Sequence, residues 1–131
     1  TEKIEGLVSK LKTDPNSMEN LLSLGIYRKM IKDYKGAAEV WKYAGEIRPK
    51  NSTSFNNLGD LYAYFLKDKK KAEKNFLLAI KNGPDKLYIY RNVYEFYRYV
   101  MKNDTKAKEI LREALKVKPD SKDFQYLLNN Y

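Results

Sequence analysis

The 131-residue chain has no cysteine and no histidine. Without them there are no disulfides, no thiolate nucleophile, no imidazole base and none of the usual zinc ligands. No apolar run approaches the ~20 residues a helix needs to cross a bilayer, and no signal peptide is visible. A cysteine-free chain suits either redox environment, so the compartment stays open, with the cytoplasm as the default. The chain starts at Thr1, not Met. An upstream segment is therefore expected, and any membrane attachment would have to come from it.

Acidic residues are scarce as well: 17 Asp and Glu stand against 26 Lys and Arg, for a net charge of +9. That excess suits an acidic protein, nucleic acid or an anionic membrane surface as partner. Solvated lysines on outer helix faces are the simpler explanation until the charges are placed.

Proline is rare but regular. Pro15, Pro49, Pro84 and Pro119 are separated by 49−15 = 34, 84−49 = 35 and 119−84 = 35 residues. Proline ends helices and biases the residue before it away from helical angles, so the period marks a recurrent helix exit. The stretch that carries the pattern is WKYAGEIRP, Trp41 to Pro49. It returns as FLLAIKNGP at 76–84 and LREALKVKP at 111–119, each a large apolar residue followed by Ala and then Pro. Periodicity on this scale means stacked supersecondary units that bury their apolar faces on one another.

Between the prolines, apolar spacing predicts helices. Ile4, Leu7, Val8 and Leu11 place one over the first twelve residues, with Glu2 and Glu5 early and Lys10 and Lys12 late, as suits the helix dipole. By its distance to Pro15, this helix takes the place of a unit's second helix, so residues 1–13 read as a partial repeat. Asn16 and Glu19 resemble a capping box that starts the next helix near Ser17. Three full units follow, at 18–51, 52–86 and 87–121. Their landmarks are Leu21, Leu24, Gly25, Ala37, Trp41 and Ala44 in the first, then Leu58, Gly59, Tyr62, Ala72, Phe76 and Ala79. The third has Val93, Tyr94, Tyr97, Ala107, Leu111 and Ala114. Residues 122–131, with Phe124, Leu127 and Leu128, read as a helix capping the stack.

This skeleton resembles the tetratricopeptide repeat family, and three copies cover about residues 18 to 121. The resemblance implies an all-α, helix-turn-helix solenoid: a right-handed superhelix of antiparallel helix pairs, flanked by the partial-repeat helix and the capping helix. Two departures stand out. Units two and three carry one extra residue, assigned to the turn between their helices. Tyr94 occupies the place of Gly25 and Gly59, so the third pair is expected to splay or to turn that ring outward.

In proteins of this family, the first helix of each unit lines a concave groove that takes a peptide or protein partner. Carried over here, the groove residues are Asn57, Asp60, Tyr64, Tyr88, Arg91, Asn92, Glu95, Arg98 and Tyr99, with Thr53 and Asn56 beside them in the second unit and Glu19, Leu22, Ser23, Ile26 and Met30 in the first. Asn57 and Asn92 hold equivalent places and could serve an extended main chain as donor and acceptor, or simply be solvated. Asp60 and Glu95 could meet a basic ligand, or pair with Arg91 or Arg98. Tyr64, Tyr88 and Tyr99 offer rigid aromatic contact area, whereas Tyr34, Tyr62, Tyr90 and Tyr97 occupy packing places. Some relatives grip chaperone tails with a carboxylate clamp of Lys, Asn and Arg. The corresponding places here hold Leu22, Ile26, Asn57, Tyr88 and Asn92, and only Asn57 matches, so that ligand is not expected.

The lysines fall elsewhere. Lys32, Lys35, Lys67, Lys69, Lys70, Lys71, Lys102, Lys106 and Lys108 gather at the turns inside units, forming a basic edge. The expected function is a protein-interaction scaffold binding a protein or peptide in the groove; the alternative is electrostatic binding of nucleic acid or an anionic membrane through that edge. Catalysis is not expected, since acids and lysines follow the repeat lattice instead of converging and no phosphate loop or metal spacing occurs. No metal or other cofactor is expected.

Overall fold

The computed structural model describes residues 1–131 and is entirely helical. Its helices are α1 (Glu2–Thr13), α2 (Met18–Met30), α3 (Tyr34–Ile47), α4 (Ser52–Tyr64), α5 (Lys69–Asn82), α6 (Leu87–Glu95), α7 (Asp104–Val117) and α8 (Lys122–Asn129). A π-helical turn, Phe96–Val100, extends α6. Successive helices pack on one another along the chain, and α2 with α3, α4 with α5, and α6 with α7 form three pairs. The architecture is a helix-turn-helix solenoid.

The caps repeat as faithfully as the prolines. The second helices α3, α5 and α7 start at Asp33, Asp68 and Asn103, whose side chains accept from the backbone N–H three residues on, at 3.0–3.1 Å. Ser17 and Ser121 cap α2 and α8 in the same manner, and Asn51 caps α4 by accepting from the Thr53 N–H two residues on. Such an oxygen satisfies a donor left orphaned by the first helical turn and contributes about 1 kcal/mol. The α2 cap is Ser17, not Asn16, whose side chain instead accepts from the Tyr43 hydroxyl. Pro49, Pro84 and Pro119 each follow a cap residue with φ near −136° and ψ of 59–87°, outside the helical region that proline denies its predecessor.

The closest helix crossings are made of glycine against a ring. A Cβ on Gly25 would sit 2.1 Å from Trp41 Nε1, and one on Gly59 would sit 2.6 Å from the Phe76 ring. Trp41 Nε1 also donates to the Leu22 carbonyl at 3.2 Å. Ala37, Ala72, Ala107, Ala44, Ala79 and Ala114 are fully enclosed; their small size lets the paired helices approach. In the third pair the Tyr94 ring does not turn outward. It is buried against Tyr131, ring centroids 6.3 Å apart, and its hydroxyl accepts from Arg98 Nη1 at 2.7 Å. Opposite it α7 presents Leu111 where the earlier pairs have Trp41 and Phe76, so a smaller partner offsets the added ring.

The extra residue of units two and three widens the end of the first helix. Leu66 N–H bonds back to Leu61 and Met101 N–H to Phe96, each spanning five residues, whereas Ile31 N–H reaches Tyr27 across four. In the third pair this widening is the π-helical turn itself. Each of the three pairs then reverses at a lysine with positive φ: Lys32, Lys67 and Lys102, at 66°, 56° and 55°. At the ends, α1 buries no residue completely, while Ile4, Leu7, Val8 and Leu11 lean on Leu21, Leu24, Val40 and Ala44. At the other end, α8 inserts Phe124 into the main core.

Candidate functional site

Because one face of each first helix must meet its partner helix, the opposite positions of α2, α4 and α6 share an outer surface. Along it, Met30, Tyr64 and Tyr99 hold one repeated place and are 69%, 38% and 55% exposed. Ile26, Phe65 and Tyr88 are exposed as well. Six large apolar or aromatic side chains thus face solvent on one side of a small domain, which is the mark of an interaction surface.

A socket opens between α2 and α4. Its lining is Ile26, Lys29 and Met30 from α2, Asn57 from α4, Phe65 from the turn and the edge of Trp41 from α3. Lys29 closes one side. Its ammonium lies 3.3 Å from Asp60 Oδ2 and 4.5 Å from the centroid of the Phe65 ring. Asp60 therefore pairs with a neighbouring first helix and with neither Arg91 nor Arg98. The pair is partly exposed and contributes at most about 1 kcal/mol; its larger effect is to hold Lys29 across the aromatic ring.

The remaining residues of the surface fall into three groups. Asn57 lies in the socket wall, but Asn92 donates through Nδ2 to Asn56 Oδ1 at 3.1 Å, an interhelical bond between α4 and α6. The two asparagines are equivalent in register but differ in what they touch. Asp60, Tyr64 and Glu95 come together: burial first, and then the charges of Asp60 and Glu95, raise the Tyr64 hydroxyl above its ordinary pKa. Arg98 is held by aromatic rings, 4.1 Å from the centroid of Tyr131 and 5.3 Å from that of Tyr99. Tyr88 and Arg91 project into solvent near the start of α6, and Arg91 joins no ion pair with Glu95.

Sequence reasoning missed Lys29, Phe65 and the edge of Trp41 as parts of one socket. Lys29 stands where Ala63 and Arg98 stand in the other units, so repetition alone gave it no signal. Phe65 lies in the widened turn, where the repeat register is ambiguous. Tyr62, Tyr90 and Tyr97 are buried packing residues. Nowhere do three or more Asp or Glu side chains converge into a metal-holding group, and no helix is long and apolar enough to cross a membrane.

Stacked antiparallel helix pairs with small residues at the crossings and a proline closing each unit define a helical-repeat solenoid. A model of the tetratricopeptide repeat matches residues 52–85, the α4–α5 pair; that pair is a tetratricopeptide repeat, and the pairs before and after it repeat its architecture. Among solved structures, MamA is similar over 97% of this chain and 73% of its own, at 23% identity and a TM-score of 0.77. MamA from Desulfovibrio magneticus RS-1 is similar over 97% and 71%, at 19% identity and a TM-score of 0.73. The first tetratricopeptide domain of Spaghetti (RPAP3), solved bound to the HSP90 peptide SRMEEVD, is similar over 86% and 90%, at 18% identity and a TM-score of 0.68. At these identities the likeness is one of fold. No curated protein sequence matches the chain.

Proposed function

We propose that the protein is a non-catalytic interaction scaffold that holds a peptide or partner segment along the outer face of α2, α4 and α6. The observation that carries this reading is the exposed row of Met30, Tyr64 and Tyr99 ending at the Ile26–Phe65 socket. An apolar side chain of the partner would fill the socket, tyrosines would cover its neighbours, and Asn57 would bond its main chain. Asn92 serves less directly, because its amide already braces Asn56. That a similar fold, the Spaghetti domain, is bound to a peptide supports the same use here. The partner need not be acidic, since the socket's cation is already paired with Asp60.

The test is capture of partners by the intact chain and by the variant Met30→Asp, Tyr64→Ala, Tyr99→Ala, over a salt series. The three residues are exposed, so the variant should keep its helical content and melting temperature. It should lose at least about tenfold in affinity, the effect of removing one or two interface anchors. Binding through the edge lysines would give another outcome: indifference to this variant and a steep fall with salt.

A further inference from the structure

The repeat supplies an internal comparison on the opposite face. At the junction of α5 with the third pair, Glu73 Oε2 accepts from the Tyr97 hydroxyl at 2.8 Å and from Lys106 Nζ at 3.2 Å, with Lys106 lying 5.6 Å from the centroid of the Tyr97 ring. One repeat earlier, Tyr62 and Lys71 reproduce the donors: 97−62 = 35, 106−71 = 35, and the ammonium lies 5.5 Å from the Tyr62 centroid. The carboxylate is not repeated. The residue 35 before Glu73 is Ala38, and Lys71 joins no ion pair.

Tyr62 and Lys71 also lie where two adjoining depressions between α3 and α5 meet, and Lys42 lines both. Phe55, Leu58 and Leu66 give the trough an apolar lining, and Lys35 and Lys74 add cations. Its own carboxylates do not substitute for Glu73. Asp68 caps α5 through the Lys71 N–H at 3.1 Å, and Glu39 and Glu46 are exposed on α3 without ion pairs.

We infer that the α3–α5 trough is a second interaction surface, in which Tyr62 and Lys71 receive a glutamate or aspartate side chain from an acidic, partly apolar segment of a protein partner. The incoming carboxylate takes the place that Glu73 fills within the chain one repeat on, accepting from a hydroxyl and an ammonium. Lys42 and Lys35 face flanking acidic residues of the partner, and its apolar residues cover Phe55 and Leu66. In a chain of net charge +9 such a partner is favoured at long range as well. This surface is separate from the face of α2, α4 and α6, and neither reading depends on the other.

The experiment measures binding of short labelled peptides to the full chain: one alternating Glu and Leu, and a control alternating Gln and Leu. The Glu peptide should bind saturably, and the Gln peptide at least about tenfold more weakly, as loss of a charge-assisted contact requires. Tyr62→Phe with Lys71→Met should weaken the Glu peptide by a similar factor, while Tyr64→Ala leaves it unchanged. Ala38→Glu supplies the carboxylate in cis and should block the peptide. If that variant fails to fold, the Tyr62 and Lys71 pair decides. The inference is overturned by absence of saturable binding, by equal affinity for the Gln peptide, by indifference to the double variant, or by tighter binding of a single-stranded oligonucleotide through the same two residues.

Discussion

Gly59 shows how much a single atom governs. The Phe76 ring occupies the space a Cβ would need, and both belong to helices anchored on either side of the pair. Gly59→Ala should destabilise the protein by about 3 kcal/mol, the upper range for overpacking a close crossing, as read by urea denaturation. Tyr97 makes a different point. Burial first, and then its bond to Glu73, push its hydroxyl far above the ordinary tyrosine value of 10.0. The folded state thus holds its proton longer than the unfolded state does, so stability is complete below about pH 10 and falls as pH rises beyond it. Tyr97→Phe should flatten that fall above about pH 10, measured against the parent by chemical denaturation. An unchanged slope would mean that the tyrosine does not set the alkaline limit.

The elements were legible in the sequence to very different degrees. Four prolines and six alanines at a steady step give the helix pairs, because a helix exit and a close crossing each need one residue type. The π-helical turn at Phe96–Val100 and the Asn92–Asn56 bond follow from how neighbouring helices meet, and no local pattern encodes them. Of the two outcomes expected for Tyr94, a splayed pair or an outward ring, the outward ring does not occur: the ring is buried against Tyr131, on a segment that no pattern around Tyr94 announces. Of the candidate groove residues, exposure of Tyr64, Tyr88 and Tyr99 followed from helical phase alone. The partners of Asp60 and Asn92 did not. At the end of the stack, α8 contributes one fully buried side chain, Phe124, with Leu127, Leu128 and Tyr131 around it. Phe124→Ala should cost about 3–4 kcal/mol and loosen α7 first, seen as faster amide exchange there than in α4.

As a whole, the molecule is a short stack with two chemically distinct sides. The face of α2, α4 and α6 is aromatic and balanced in charge, with its one ion pair, Lys29 to Asp60, spent within the socket. The side of α3 and α5 carries unpaired lysines over an apolar floor. Nearest-neighbour packing explains why such surfaces can diverge: a solenoid's stability is summed pair by pair, so residues off the crossings are free to vary. The central claim, that partners are held on the first-helix face, is tested most directly by placing a photo-crosslinking residue in turn at Tyr64, Tyr99 and, as a control on a second helix, Leu77. All three positions are exposed. A discrete adduct should form from Tyr64 and Tyr99 and disappear with Met30→Asp. Equal adducts from Leu77, or adducts indifferent to Met30→Asp, would contradict the account.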